Sequence, residues 1–350
     1  MRKGYEKGSG GGRISAPSIS TRDTQGREEI GPATSGDERH RSCNTAVRAR
    51  AHPLGGRSTK ALSGEQIVLA KPMTINERMM YSTVRIAGQL ATGEEISGTS
   101  FFLAHRFEDN SKVRMLVSNR HVVGGVNKGT LYVHRPRRVT ASGQVVSAGS
   151  VPLEIDDFES KWVPHPNPDV DLCALPYDVV HAAIQKVAED VYATFFETTQ
   201  VIPSDEALAK MDSGEEVQLI GYPDGVWDRV NSFPVFRRGT IATHPRVDFR
   251  GRAEILIDAA ASYGSSGAPV VVLSRTSFKE EEAETWPVVL LGVLSSGYGR
   301  GAEGAVREDL VARTGKRGPI PTPMHLDVIV KARELVVLAD AVAAKVGAQK

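Results

Sequence analysis

A serine set between two glycines, at the junction of two apolar stretches, constrains this chain more than any other feature. The apolar stretch that contains Ile257 leads through Gly264-Ser265-Ser266-Gly267 into the run Ala268-Pro269-Val270-Val271. Glycines at both ends of the turn permit positive-φ geometry and let another part of the backbone approach closely. In such a turn the amides of Gly264 and Ser266 can point at one spot, as an oxyanion hole requires. An ordinary Gly-Ser loop has the same composition, so the choice depends on the rest of the chain.

Two other segments supply the partners that a nucleophilic serine needs. His121 follows an apolar, strand-like run, and Asp171 stands directly before the apolar run Leu172-Cys173-Ala174-Leu175. A serine nucleophile requires an imidazole as base and a carboxylate that orients the imidazole. Asp169 is an alternative carboxylate, but Asp171 is favoured because the start of an apolar strand is better shielded from water. The order His121, Asp171, Ser266 is that of chymotrypsin-type proteases and not of subtilisins or α/β-hydrolases.

Further segments accompany the histidine, aspartate and serine motifs over about residues 76–335. In chain order the whole set is Gly98-Thr99-Ser100-Phe101-Phe102, Ser118-Asn119-Arg120-His121-Val122-Val123, Asp171-Leu172-Cys173-Ala174-Leu175, Ile220-Gly221-Tyr222-Pro223, Gly239-Thr240-Ile241-Ala242, Asp258 to Pro269, and Gly292-Val293-Leu294-Ser295-Ser296-Gly297. On these segments the chain resembles the trypsin-like (chymotrypsin-fold) serine proteases. The resemblance is closest to the bacterial high-temperature-requirement, or Deg-type, branch.

The resemblance implies an all-β fold of two six-stranded antiparallel β-barrels that share a cleft, with a C-terminal helix. Short alternating runs such as 83–87 and 113–117, separated by polar turns, favour the same fold class. Residues 1–72, rich in Gly, Ser and Arg, predict a disordered basic tail. Residues 73–190 would form the barrel that carries the histidine and the aspartate. Residues 191–350 would form the barrel that carries the serine, and also the terminal helix.

The pattern of apolar residues makes further local predictions. Residues 177–193 are predicted to form a helix between the barrels, residues 306–322 a polar loop, and residues 325–330 a closing strand. Apolar residues from Leu335 to Val346 recur at helical spacing, which predicts an amphipathic terminal helix. By this reading the chain has no room for the separate peptide-binding domain that many Deg-type proteases carry.

The resemblance also implies the roles of the candidate catalytic residues. Ser266 would attack the peptide carbonyl, and His121 would accept the serine proton as general base. Asp171 would hold the imidazole in the right tautomer. The amides of Gly264 and Ser266 would bind the oxyanion.

Candidate substrate-binding residues follow from the same comparison of motifs. Ser295 would support the aspartate, and the run Ser295-Ser296-Gly297 would pair with the substrate backbone as an added strand. Ala260 would form the floor of the primary specificity pocket, and its small uncharged side chain predicts cleavage after small or apolar residues. Ser265 stands where trypsin has the aspartate that pairs with a newly cleaved N-terminus. Activation by such a cleavage is therefore not expected.

Composition narrows the class of protein and its partners. Charged residues make up 24% of the 350 residues and the formal net charge is +1, values typical of a globular enzyme. The chain has two cysteines, Cys43 and Cys173, which excludes a disulfide-rich secreted scaffold and predicts a cytoplasmic protein. No apolar run is long enough to cross a membrane. Metal-ligand spacings and a phosphate-loop lysine are absent, so no cofactor and no metal are expected. The resemblance implies that the partner is a protein or peptide substrate.

Two other functions fit parts of the sequence. One is a catalytically weak protease fold that serves as a peptide-binding or regulatory module, which a broken triad would reveal. The other is nucleic-acid binding through the basic tail and the cluster Arg135, Arg137 and Arg138. The near-neutral net charge and the lack of a face that alternates aromatic and basic residues argue against nucleic-acid binding.

Overall fold

Runs of apolar and β-branched residues, interrupted by glycines and polar turns, form strands along most of the chain, as their pattern predicts. The structure is a computed structural model that describes residues 67–69, 74–140, 142, 145–147, 149–187, 189–223, 226–273, 288–300, 306–310 and 322–347. Cys43 and most of the expected tail, residues 1–72, lie outside the described residues.

The strands, in chain order, are β1 (Ile67–Leu69), β2 (Thr83–Leu90), β3 (Glu95–Arg106), β4 (Lys112–Ser118), β5 (Val126–His134), β6 (Arg138–Thr140), β7 (Val145–Ser147), β8 (Ser150–Asp156), β9 (Val163–Pro164), β10 (Cys173–Pro176), β11 (Phe196–Glu197), β12 (Glu216–Gly221), β13 (Val235–Ile241), β14 (Glu254–Ala259), β15 (Pro269–Leu273), β16 (Val288–Arg300), β17 (Val306–Leu310) and β18 (Thr322–Lys331). The α-helices are α1 (Ile75–Met80), α2 (Arg120–Val123), α3 (Phe158–Lys161), α4 (Tyr177–Val187), α5 (Thr198–Val201), α6 (Asp205–Leu208) and α7 (Glu334–Gly347). None of the described helices combines the length and the apolar character needed to cross a membrane.

The first half of the chain forms one sheet with the strand order β8-β5-β2-β3-β4-β10-β9, and β11 runs parallel to β3. Side chains alternate between the two faces of each strand. In β3, Phe102 packs into the core of this sheet, whereas Phe101 and Leu103 face a second core that both halves share. In the described part of the chain no pairing joins β8 to β9 or β10. This sheet is therefore open, and the prediction of a closed first barrel is corrected.

The second half of the chain forms the closed six-stranded barrel that was predicted. Its strands follow the order β15-β12-β13-β14-β18-β16, and β16 pairs back onto β15. All these pairs are antiparallel. Apolar side chains such as Val217, Ile257, Val270 and Ile329 fill its interior. The all-β fold class is confirmed, with one closed barrel and one open sheet.

The terminal helix α7 packs where the two halves meet. Leu335, Leu338 and Val342 are fully buried, in the cluster that includes Phe101 of β3 and Val293 of β16. Burial of an aliphatic side chain of this size is worth about 1.5–3 kcal/mol. The amphipathic terminal helix predicted from its periodicity is confirmed, and it helps to hold the barrel against the sheet.

Three local predictions need correction. The helix expected over residues 177–193 ends at Val187. Beyond it every second residue, Val191, Ala193 and Phe195, packs on the core of the first sheet, which is the spacing of an extended chain. Residues 306–310, expected in a loop, form β17 on the edge of β16. Residues 67–69, expected in the disordered tail, form β1 and pair with β6.

Candidate active site

The pairing of β4 with β10 brings His121 next to Asp171. Ser118, the last residue of β4, lies opposite Cys173, the first residue of β10. Asn119 then donates a hydrogen bond from Nδ2 to the carbonyl oxygen of Asp171 at 2.8 Å, which ties the two strand ends together. The histidine follows in the one-turn helix α2. The register of two adjacent strands thus sets the separation of these two side chains.

The Asp171 carboxylate accepts hydrogen bonds from two residues. Its Oδ1 accepts from the backbone N–H of His121 at 3.1 Å, and its Oδ2 accepts from Ser295 Oγ at 3.0 Å and pairs with His121 Nδ1. The histidine and aspartate side chains are 7% and 21% exposed, so water competes only weakly for these bonds. A carboxylate at Nδ1 keeps the proton on that nitrogen and leaves a lone pair on Nε2, as a general base needs. The alternative carboxylate, Asp169, is exposed to solvent.

The turn that carries Ser266 is held by Thr99, which lies on β3 of the other half. Thr99 donates its backbone N–H to the carbonyl oxygen of Ser266 at 2.8 Å, and its Oγ1 donates to the carbonyl oxygen of Gly264 at 2.8 Å. Gly264 and Gly267 have φ of 83° and 86°. A Cβ added at Gly267 would lie 2.0 Å from the Thr99 carbonyl oxygen, so only glycine fits there. The motif analysis assigned no role to Thr99.

Two backbone amides in this turn are available to an anion. The N–H groups of Gly264 and Ser266 donate to no acceptor in the described portion of the chain, whereas the N–H groups of Ser265 and Gly267 bond to backbone carbonyls. Free amides on alternate residues of a tight turn form a concave site for a negatively charged oxygen. The arrangement has the donors that an oxyanion hole requires.

The structure brings most of the candidate triad together but leaves one contact unmade. Ser266 is fully buried, and its Oγ donates a long hydrogen bond of 3.5 Å to the Ser295 carbonyl oxygen. His121 Nε2 is also buried, and no described residue is its hydrogen-bond partner. Ser266 Oγ is thus not bonded to His121 Nε2. Catalytic hydrogen bonds are often long or misaligned without substrate and tighten when substrate binds.

The run Ser295-Ser296-Gly297 lies on β16, between two other strands. On one side Ser296 is opposite Leu310 and Gly297 is opposite Asp309, both on β17. On the other side the same two residues pair with β18. A substrate strand that paired with Ser296 and Gly297 would therefore have to take the place of β17.

The segment expected to form the specificity pocket contacts a buried carboxyl group. Ala260 is half-buried just after β14, and the next residue, Ala261, donates its N–H to Asp327 Oδ2 at 3.2 Å. Asp327 lies on β18, opposite Ile257 on one side and Gly297 on the other, and is only 4% exposed. The sequence analysis missed this carboxyl. An aspartate in an otherwise apolar strand was the signal that could have found it.

Burial raises the pKa of Asp327 to about 7, because an ionised carboxylate is costly away from water. The N–H of Ala261 and the positive charge of Arg237 act against this increase, and the negative charge of Asp258 adds to it. The group therefore changes its charge close to neutral pH.

The buried thiol beside the site is a poor nucleophile. Cys173 is free and buried, and burial, together with the nearby Asp171 charge, raises the pKa of its thiol well above the ordinary value. A thiol that stays protonated is a weak nucleophile, so Cys173 is not a candidate for attack on a carbonyl. In the regions that the structure describes, no group of three or more His, Cys, Asp or Glu side chains is placed to hold a metal ion.

Comparison with known proteins identifies the family. The model of the trypsin-like peptidase domain matches residues 98–275, just over half of the 350 residues. The chain belongs to this family. The matched region of the peptidase begins in β3, ends just after β15, and contains His121, Asp171 and Ser266. Among solved structures the peptidase is similar to the active form of the Rv3671c protease from M. tuberculosis, with 17% sequence identity, a TM-score of 0.40, and coverage of 79% of this chain and 89% of that chain. A search of curated proteins found no match.

Proposed function

We propose that this peptidase is a serine endopeptidase that uses Ser266 as nucleophile, His121 as general base and Asp171 as the group that orients the histidine. One observation carries the proposal. Asp171 is bonded to both the backbone and the ring of His121 and to Ser295, while the opposite ring nitrogen, Nε2, is buried and unpaired among the described residues. A serine hydroxyl that turned toward this nitrogen could donate its proton to it, which is what a general base beside a nucleophile requires.

The chemistry follows from these positions. His121 Nε2 would take the proton of Ser266 as Oγ attacks the carbonyl carbon of the peptide, and Asp171 would stabilise the imidazolium that forms. The amides of Gly264 and Ser266 would hold the negative oxygen of the tetrahedral intermediate, and the loss of one such donor costs roughly 2.7–4 kcal/mol. The imidazolium would then protonate the leaving amine. Water would release the acyl group from Ser266 by the same steps in reverse.

Two changes would convert the observed structure into one that carries substrate. Ser266 Oγ, now 3.5 Å from the Ser295 carbonyl oxygen, would turn toward His121 Nε2. The strand β17 would leave the edge of β16, so that the substrate backbone could pair with Ser296 and Gly297. The first change breaks one long hydrogen bond, and the second unpairs the five residues of an edge strand.

Specificity and location are further parts of the proposal. The small uncharged side chain of Ala260 supports cleavage after small or apolar residues, because it offers no charge and no hydrogen bond. The sparse cysteine content supports a reducing compartment such as the bacterial cytoplasm. The resemblance of the motif segments supports a place near the Deg-type branch of the family.

A second candidate function is a peptide-binding or regulatory module with weak catalysis. It is favoured by the unmade contact between Ser266 Oγ and His121 Nε2 and by the occupied edge of β16. The two functions differ in whether the serine is reactive.

Labelling with a fluorescent fluorophosphonate separates these candidates, because the probe reacts only with an activated serine. We expect the full chain to label, Ser266→Ala to remain unlabelled, and the matched control Ser265→Ala to label. A wild-type protein that binds peptide but does not label would favour the binding module. Loss of labelling in Ser265→Ala but not in Ser266→Ala would move the nucleophile to the neighbouring residue.

A further inference from the structure

A cavity of about 260 Å³ is lined both by the open sheet of the first half and by the loop that joins β12 to β13. Arg85 of β2 and Tyr132 of β5 line it from the sheet, and Trp227 and Arg229 line it from the loop. Tyr222, a buried residue at the start of this loop, lines it as well. The residues assigned above to catalysis take no part in the wall of this cavity.

The guanidinium group of Arg85 is stacked against two aromatic rings. Its central carbon lies 4.9 Å from the centre of the Tyr132 ring and 4.2 Å from the centre of the Trp227 ring. Stacking fixes the plane of a guanidinium group and leaves its N–H groups free to bond at the edges. In the part of the chain that the structure describes, no residue accepts a hydrogen bond from Arg85, and its Nε is buried. A buried donor without an acceptor is costly, so the cavity favours a ligand that supplies one.

The described wall of the cavity carries two positive charges and no carboxylate. Arg229 is exposed, with its guanidinium carbon 4.8 Å from the centre of the Trp227 ring. The acid next to it, Asp228, is engaged within its own turn, where Oδ1 accepts the N–H groups of Val230 and Asn231 at 3.0 Å and 2.9 Å. The two arginines therefore favour an anion, and the aromatic rings offer apolar surface to the carbon chain that carries it.

The cavity lies beside the residue that holds the serine turn. Arg85 is directly opposite Thr99 in the pairing of β2 with β3. Side chains in such a pair share one face of the sheet, with Cβ atoms about 4.5–5.5 Å apart. Thr99 Oγ1 accepts the N–H of Tyr222 at 3.0 Å and donates to the carbonyl oxygen of Gly264 at 2.8 Å. A single residue thus separates Arg85 from the turn that carries Ser266.

The serine turn lies between two strands that would contact opposite halves of a substrate. The carbonyl oxygen of Ser266 accepts the N–H of Thr99 on β3, and the N–H of Gly267 donates to the carbonyl oxygen of Leu294 on β16 at 2.9 Å. In the proposed function, the residues before the scissile bond pair with β16. A peptide that continues past Ser266 would then leave on the side of β3 and approach Arg85.

We propose that Arg85 is a specificity-determining residue that binds the carboxylate of a Glu or Asp on the C-terminal side of the scissile bond. The rings of Tyr132 and Trp227 contact the stem of that acidic residue, and Arg229 adds a second positive charge. The inference rests on the proposed protease function, since it concerns a further part of the same substrate path. It names the substrate class as peptides with an acidic residue shortly after the bond that is cut. The expectation from Ala260 concerns the residue before that bond and is unchanged.

The test uses the full chain and pairs of internally quenched peptides that differ only by Glu or Gln at one position after the scissile bond. Gln has nearly the same size without the charge, and mass spectrometry of the products locates the bond that is cut. For wild type we expect kcat/KM of the Glu peptide to exceed that of the Gln peptide at least about tenfold at one of these positions, as for a charge-assisted hydrogen bond. Arg85→Gln should bring this ratio to within about twofold of one. The matched control Arg114→Gln, at an arginine of the same sheet that lies over Phe195 outside the cavity, should keep the wild-type ratio.

Each result decides between distinct conclusions. A wild-type ratio near one at every position, or a ratio that Arg85→Gln does not change, overturns the proposal while protease function stands. If Arg85→Gln does not fold, the exposed Arg229 takes its place. Arg229→Gln should then lower the ratio at least about twofold, and an unchanged ratio would overturn the proposal. Failure of wild type to label with fluorophosphonate and to cleave any of the peptides would refute the protease function, and the role of Arg85 with it.

Discussion

Replacement of Asp327 by Asn removes a buried charge while it keeps the size of the side chain and an acceptor for the Ala261 N–H. The pKa of Asp327 is raised from its ordinary value of 3.8 to about 7 by burial. The folded protein therefore holds a proton that the unfolded chain loses between about pH 4 and pH 7. Stability decreases with pH wherever the folded state binds more protons than the unfolded state. We expect the free energy of unfolding of wild type to fall relative to that of Asp327→Asn over this range.

The magnitude follows from the same two pKa values. A difference of one pKa unit corresponds to about 1.36 kcal/mol, so a rise from 3.8 to about 7 corresponds to at most about 4 kcal/mol. This is a large part of the roughly 5–15 kcal/mol that stabilises a typical domain. The stability difference between variant and wild type should grow by up to this amount as pH increases from 4 to 7, and should stay constant above about pH 8.

Urea unfolding followed by circular dichroism at several pH values measures this difference. The exposed residue Asp258 provides the control, because Asp258→Asn removes a neighbouring acid without relieving the burial of Asp327. A stability difference between Asp327→Asn and wild type that is flat from pH 4 to pH 8 would refute the reasoning, because it would mean that the buried carboxyl does not retain its proton on folding.

Four further substitutions test the parts of the site separately. Thr99→Val removes the hydroxyl that donates a hydrogen bond to the Gly264 carbonyl oxygen. We expect the free energy of unfolding in urea to fall by about 1–3 kcal/mol, and kcat to fall as well. An unchanged kcat would contradict the role of Thr99 in holding the turn. Gly267→Ala places a Cβ 2.0 Å from the Thr99 carbonyl oxygen, and the left-handed backbone conformation at this position by itself costs an alanine about 1–2 kcal/mol. We therefore expect fluorophosphonate labelling to be lost. Normal labelling would show that the turn can adjust to the added methyl group. In an edge strand the N–H groups of successive residues face the partner strand and solvent in turn, so one of the two variants Asp309→Pro and Leu310→Pro removes a hydrogen-bond donor to β16. That variant should loosen β17 and raise kcat/KM. No increase in either variant would show that β17 does not compete with substrate.

Much of the fold could be predicted because the signals are local. The helical spacing of Leu335, Leu338 and Val342 predicts the terminal helix, and these residues form the apolar face that packs into the core. Strand predictions succeed for the same reason, since the alternation of apolar residues is also a local signal. They fail for residues 177–193, where packing on the core of the first sheet replaces the end of the helix by extended chain, and for residues 306–310, where a polar segment pairs with β16.

In the candidate site, too, some residues can be predicted from the sequence and others only from the structure. The motifs point to His121, Asp171 and Ser266 from the sequence, since each stands at a recognisable junction of turn and apolar run. Ser295 was expected to support the aspartate by resemblance alone, and the structure places its Oγ 3.0 Å from Asp171 Oδ2. The role of Thr99 had no local signal, because its partners lie in the turn between β14 and β15, far away in the chain.

The sequence alone determined the fold class, the order of the motifs and the need for glycine in the serine turn, because periodicity and backbone conformation are properties of neighbouring residues. Tertiary structure alone decided that Thr99 holds the turn, that β17 occupies the edge of β16, and that the buried carboxyl of Asp327 accepts the N–H of Ala261. Thr99 and Asp327 each contact residues far away in the chain, and β17 pairs with β16 in a register that its own composition does not reveal. Register is set by how whole faces pack, and a shift of one residue would turn every side chain to the opposite face.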